Sequence, residues 1–200
     1  LTINKTLLFV IVLVTPWIVS IAGKTIDPTW KIYYTSSDGN IVTPYRTNVF
    51  GVNIVNNTYQ DGQGVITFDG PVTSIGDYAF CGCESLTKIN LPNGVTSIGV
   101  EAFSGCKSLT KITIPDSVTK IEWGAFSHCE SLTSIIIPGS VNSIGNDAFS
   151  YCNSLKTITM PDSITSIGDS AFLYCESLTE VTIPNSVKSI ERAAFMDCPS

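Results

Sequence analysis

The same order of apolar and polar positions returns every 23 residues along most of this chain. It starts at Val72 and restarts at Val95, Val118, Val141, Ile164 and Val187, with no insertion between copies. In the third copy the apolar positions are Val118, Ile121, Ala125, Phe126, Cys129, Leu132, Ile135 and Ile137, and Pro138-Gly139-Ser140 closes the unit. Ile135 and Ile137 alternate with Ile136 at a period of two, which predicts a strand over 132–137 with one face inward. Pro138 stops that strand and Gly139-Ser140 turns the chain. Val118 and Ile121 form a second, shorter inward stretch. Ala125-Phe126 with Cys129 has helical spacing, so a turn or two of helix is expected there. A period of this length, held over 129 of 200 residues, means a solenoid whose units pack only on their neighbours. Equivalent positions then stack into ladders: Phe80, Phe103, Phe126, Phe149, Phe172 and Phe195 in one, Leu86, Leu109, Leu132, Leu155 and Leu178 in another.

The pattern before residue 72 is different. Lys5 precedes an apolar run from Leu7 to Val14, and Ser20 and Ala22 stand in the spacing of a cleavage site. Residues 1–23 therefore read as a secretory signal peptide. A signal anchor is the competing reading, because residues 6–23 are uncharged and nearly long enough to span a bilayer. Residues 24–71 read as a small β-rich N-terminal cap. Trp30 to Thr35 is strand-like, Ser36 to Asn40 is a turn, and Ile41-Val42-Thr43 can return as a strand. A second unit runs from Val52 to Val55, turns near Asp61-Gly62, and continues through Gly64 to Phe68. Counting back 23 from Ile89 and Leu91 lands on Ile66 and Phe68, so that last strand reads as a divergent repeat facing water on its outer side. At the other end, the unit begun at Val187 stops at Ser200, so residues 72–200 are expected to be an array with an incomplete last copy, cut from a longer one.

The unit Val-x-x-Ile-x-x-x-Ala-Phe-x-x-Cys-x-Ser-Leu-x-x-Ile-x-Ile-Pro-x-Ser resembles the BspA-type leucine-rich repeat, a family of surface proteins in host-associated bacteria and some protozoan parasites. The stretch from Ile32 to Phe68 also resembles the leader of bacterial members. The resemblance implies a leucine-rich-repeat solenoid, a right-handed β/α superhelix of short parallel strands with short helical turns. It implies secretion or surface display, with protein binding or cell adhesion, and it implies no catalytic residues.

Composition narrows the function. A net charge of −6 with no basic stripe excludes nucleic acid as a partner. The chain contains no Gly-rich phosphate loop, nucleophile elbow or metal-ligand cluster, so no enzyme, cofactor or metal is expected. His128 is the single histidine and reads as a solvated turn residue. Cys83, Cys106, Cys129, Cys152, Cys175 and Cys198 share one repeat position, with Cys81 extra. They read as buried free thiols acting as small apolar residues, against the alternatives of disulfides or metal. Parallel Cβ vectors suit a disulfide poorly. Asn56-Asn57-Thr58 is a glycosylation sequon, relevant in a eukaryotic cell.

The outward strand positions give the candidate binding face. Lys88, Lys111, Ser134, Thr157 and Glu180 form one ladder, and Asn90, Thr113, Ile136, Thr159 and Thr182 the other. On the resemblance, these line the concave sheet of the solenoid. Threonine also serves β propensity and cross-strand packing in its own right. Charge grades from Lys88 and Lys111 to Glu180, and Ile136 is the apolar candidate anchor. The expectation is a monomeric, secreted or surface-displayed module that engages a protein or host-surface ligand, with contact to a membrane only through an uncleaved N-terminal segment. The alternative is a structural spacer displaying a further C-terminal domain.

Overall fold

The structure is a computed structural model, and it describes residues 30–199 together with the backbone of Val19–Ile21 and Lys24–Ile26. The signal-peptide reading of residues 1–23 lies outside the described residues, apart from the backbone of Val19–Ile21. That segment, β1, pairs antiparallel with β2 (Lys24–Ile26).

Each repeat is one coil, and equivalent residues of successive coils pair in parallel. Six two-residue strands form one continuous sheet: β6 (Ser74–Ile75), β8 (Ser97–Ile98), β10 (Lys120–Ile121), β12 (Ser143–Ile144), β14 (Ser166–Ile167) and β15 (Ser189–Ile190). The longer strands of the repeat are β7 (Leu86–Asn90), β9 (Lys111–Thr113), β11 (Ser134–Ile136) and β13 (Thr157–Thr159). Their central isoleucines, Ile89, Ile112, Ile135 and Ile158, point inward and are buried. Between these two strand positions the core fills with stacked phenylalanines. Phe103, Phe126 and Phe149 follow one another at 5.3 Å with nearly parallel rings. Burying each such side chain contributes about 1.5–3 kcal/mol, and only the neighbouring coils bury it.

The arc around Ala-Phe-x-x-Cys is where the structure departs from the expected helical turns: among the described residues no helix forms. Hydrogen bonding explains this. In the third coil Ala125, Ser127 and Cys129 donate three residues back, to Glu122, Gly124 and Phe126. The alternate amides of Gly124, Phe126 and His128 donate instead to Asn146, Ala148 and Ser150 of the next coil, at 2.8–2.9 Å. An α-helix would keep every amide within its own segment. Turning alternate amides outward places Gly124 and His128 in the left-handed region, at φ +59° and +56°. The same two positions recur at positive φ through the array, occupied by non-glycine residues such as Asp147, Tyr151, Ser170 and Tyr174. Left-handed backbone costs an L-residue roughly 1–2 kcal/mol. The inter-coil bonds formed in exchange hold the arcs in register.

The cap is a three-stranded antiparallel sheet, β3 (Lys31–Ser36), β4 (Ile54–Gln60) and β5 (Gln63–Phe68), in the order β4-β5-β3. The strand lying against the first coil is β3, which pairs antiparallel with β7. The strand β5, which the repeat count aligns with β7, is one place further out. No strand forms at Ile41–Thr43, where side chains take over the backbone bonding: Val42 N–H donates to the Tyr34 hydroxyl, and Asn57 Nδ2 donates to Val42 O. Phe50 closes the phenylalanine stack, packed on Phe68 at 5.1 Å and edge-on to Phe80 at 5.8 Å.

Candidate functional site

Eight of the ten side chains expected to line the binding face stand on four successive strands that pair in register two by two. Lys88 and Asn90 on β7 pair with Lys111 and Thr113 on β9; Ser134 and Ile136 on β11 pair with Thr157 and Thr159 on β13. All eight are exposed while the isoleucines between them are buried, which is the two-residue alternation of a one-sided strand. Glu180 and Thr182 are exposed as well, but the segment carrying them is not a strand. The paired face therefore ends at β13.

The face is not uniform. Thr110 N–H reaches Thr87 O at 2.9 Å and Lys156 N–H reaches Thr133 O at 2.9 Å, whereas Thr133 N–H to Thr110 O stretches to 3.5 Å. The sheet is interrupted there, between β9 and β11. A shallow cleft of about 350 Å³ follows the interruption, walled by Lys111 to Ile114 on one side and Ser134 to Ile136 on the other. Ile136 lines it and is 70% exposed, the most exposed of the large apolar side chains described. Apolar surface held out beside hydroxyls and an ammonium group can anchor a partner by burial and orient it by polar contacts.

The cysteine ladder is chemically quiet. All seven thiols are free, and Cys106, Cys129, Cys152 and Cys175 are buried. Each of these four donates its S–H to the carbonyl of a phenylalanine in the preceding coil, as Cys152 does to Phe126 O at 3.2 Å. Burial pushes their thiols upward, Cys175 to about 12. A thiol so held is neither a nucleophile nor a ligand at neutral pH. Among the described residues, no group of three or more His, Cys, Asp or Glu side chains is placed to hold a metal ion. Nor is any helix among them long and apolar enough to cross a membrane.

One surface feature escaped the sequence reading. His128 is exposed, as expected, but it is not solitary: its ring stacks on Tyr151 at 4.4 Å, and Tyr151 stacks on Tyr174 at 4.9 Å. The signal was present in the 23-residue register, where Gly82, Gly105, His128, Tyr151 and Tyr174 share one position. The Asp197 carboxylate beside Tyr174 raises that phenol above its usual range. On the same arc, Lys107 Nζ and Glu84 Oε1 form an ion pair at 2.8 Å.

Stacked parallel coils of 23 residues, with an inward Ile-x-Ile strand, a phenylalanine stack and a thiol ladder, make a specific signature. Residues 73–200 match the BspA type leucine rich repeat region, in 6 copies. The chain belongs to this family. Solved structures agree with the BspA-type assignment. A leucine rich cell surface protein from Faecalibacterium prausnitzii A2-165 is 44% identical with a TM-score of 0.59, over 64% of this chain and 34% of that one. The leucine rich repeat protein of T. pallidum, TpLRR, is 42% identical with a TM-score of 0.57, over 59% and 56%. A leucine-rich repeat protein from Bacteroides ovatus ATCC 8483 is 33% identical with a TM-score of 0.50, over 70% and 40%. The BspA-type chain thus spans between 34% and 56% of the length of these relatives. No curated protein matches it.

Proposed function

We propose that this BspA-type array is a non-enzymatic binding module, secreted or displayed at a cell surface, that engages a protein or host-surface ligand through its strand face. The observation that carries the reading is the set of exposed side chains on β7, β9, β11 and β13, in register within each pair of strands, with Ile136 at the break between the pairs. Lys88 and Lys111 attract an acidic region of the partner, the hydroxyls of Thr113, Ser134, Thr157 and Thr159 supply short donors and acceptors, and Ile136 is the anchor. Surface location is supported by the F. prausnitzii relative, described as a cell surface protein.

The test is a capture experiment on solubilised, biotin-labelled host-cell surface proteins. It compares the natural chain with a triple variant, Lys111→Glu, Ile136→Glu and Thr159→Glu. These side chains are exposed, so the variant is expected to keep its melting temperature and to lose the captured proteins. Identical capture by both chains would place the binding surface elsewhere.

A further inference from the structure

The turn arc holds a second feature, remote in role from the strand face. Gly82, Gly105, His128, Tyr151 and Tyr174 occupy one register position, all in the left-handed region with φ between +56° and +71°. Glycine is the unstrained residue for that backbone, and the first two coils use it. The next three carry rings there, and the sixth carries Asp197 at φ +57°. The rings stack, so Tyr151 has a neighbour on each face. His128 has one on a single face. On its other side stands Gly105, where an added Cβ would meet only Gly82 backbone at 3.6 Å, and then Gly82, where it would meet nothing within 4 Å. Gly82 N–H to Ser104 O at 2.7 Å and Gly105 N–H to Ser127 O at 2.8 Å keep the positions in line.

The result is a notch two coils wide with a glycine floor and the imidazole face of His128 at one end. At the other end it opens into a cleft of about 460 Å³ between the cap and the Cys81–Ser85 turn, with Tyr45 on its wall, 69% exposed. Along one flank runs the Glu84–Lys107 ion pair, whose side chains are 63% and 50% exposed.

We propose that this notch binds a neutral carbohydrate, one pyranose ring standing over Gly105 with a C–H face against His128 and the next reaching over Gly82 toward the cleft. Gly105 and Gly82 leave free the space that rings fill in the following coils. An open aromatic face carries the negative end of its quadrupole and suits the polarised C–H bonds of a sugar. Glu84 offers acceptors and Lys107 donors, so sugar hydroxyls find partners on the flank. Because the two charges neutralise each other, the flank selects for hydroxyls rather than for a charged ligand. An aromatic side chain from a protein partner would match the ring position but would cover this flank with apolar surface, leaving its polar groups unsatisfied.

The experiment follows the ring C–H resonances of His128 and Tyr45 by NMR in the full chain. The probes are cellobiose, lactose, maltose and N,N′-diacetylchitobiose, each titrated at low salt and at ~0.5 M NaCl, where surface charge interactions are screened. The expected result is a saturable shift of both residues with at least one disaccharide, nearly unchanged by salt. Gly105→Tyr adds the missing ring and should abolish the shift. That variant is expected to fold, since three coils already carry rings in this conformation; should it not, the exposed His128→Ala variant, read on Tyr45, serves in its place. No saturable shift with any of the four sugars overturns the proposal, as do shifts that persist in the blocking variant. Shifts produced by N-acetyltyrosinamide and by none of the sugars also overturn it and assign the notch to a protein partner.

Discussion

Truncating one ring of the phenylalanine stack measures how far a coil depends on its neighbours. Phe149 has no exposed surface and lies between Phe126 at 5.3 Å and Phe172 at 5.4 Å, with interplanar angles of 3° and 5°. Phe149→Ala removes a fully buried ring, a change that costs about 3–5 kcal/mol in a protein core. The upper part of that range applies, for two reasons. Both stacking contacts are lost, worth about 0.5–1.5 kcal/mol each. The flanking coils are also pinned by Phe126 N–H to Ala148 O and Phe149 N–H to Ala171 O, both 2.8 Å, so the cavity cannot close by collapse. Phe195 is half-buried and has one ring neighbour among the described residues, Phe172 at 5.1 Å. Its truncation should cost about half as much, roughly 1.5–2.5 kcal/mol. Urea unfolding followed by circular dichroism gives both values, with the denaturant slope checked for constancy. Near-equal losses at the two sites would refute the one-dimensional account. A further check is coupling: Phe126→Ala with Phe149→Ala should be non-additive, whereas Phe80→Ala with Phe149→Ala should add within about 0.5 kcal/mol.

Three other outcomes are expected. The buried thiols are raised in the folded chain, Cys175 from 9.0 to about 12, so the native state keeps protons that the unfolded chain releases. Their contribution is complete below about pH 9 and is lost as pH climbs toward about 12, so urea midpoints should be flat at neutral pH and fall above about 9; midpoints rising in that window would contradict the burial. Gly124→Ala, at φ +59° with its new Cβ 3.0 Å from Glu101 Cγ, should destabilise by about 1–2 kcal/mol in the same assay, and an unchanged midpoint would dismiss the left-handed strain. Tyr34→Phe removes the hydroxyl that donates to Asn57 Oδ1 at 2.8 Å and accepts from Val42 N–H at 3.2 Å. It should cost about 1–3 kcal/mol and speed amide exchange at Val42, the exchange rate being the readout that assigns the loss to the cap.

What the chain order revealed about the fold follows from which interactions are local. The alternation around Ile112 and Ile135 assigns strand and face because inward and outward positions differ by one residue. The turn arc was less legible. Ala125, Phe126 and Cys129 are spaced inward in a helix and in this tight arc alike, and the deciding fact is that His128 N–H goes to Ser150, in the next coil. The cap misled for a similar reason. Ile66 aligns with Ile89 by counting, yet Ile32 and Tyr34 reach the array first, through antiparallel pairing that no period encodes. The exposed strand residues from Lys88 to Thr159 were readable as a face. The break in the sheet beside Ile136 was not, because it lies in one lengthened inter-coil hydrogen bond, Thr133 N–H to Thr110 O at 3.5 Å, between coils with ordinary sequences.

The alternating hydrogen bonds of the arc also govern how an array of this kind can change length. Every second amide of the arc is completed by a carbonyl 22 residues further on, as Phe126 is by Ala148 and Phe149 by Ala171. Gaining or losing one whole period leaves each amide facing an equivalent carbonyl. A single inserted residue shifts the partner of every crossing amide at that point and turns the inward rings toward water. Duplication or excision of complete units is therefore nearly free, while small insertions and deletions are disruptive. The fold sets a counting unit on its own gene, and surfaces built upon it can be lengthened, shortened or shuffled coil by coil.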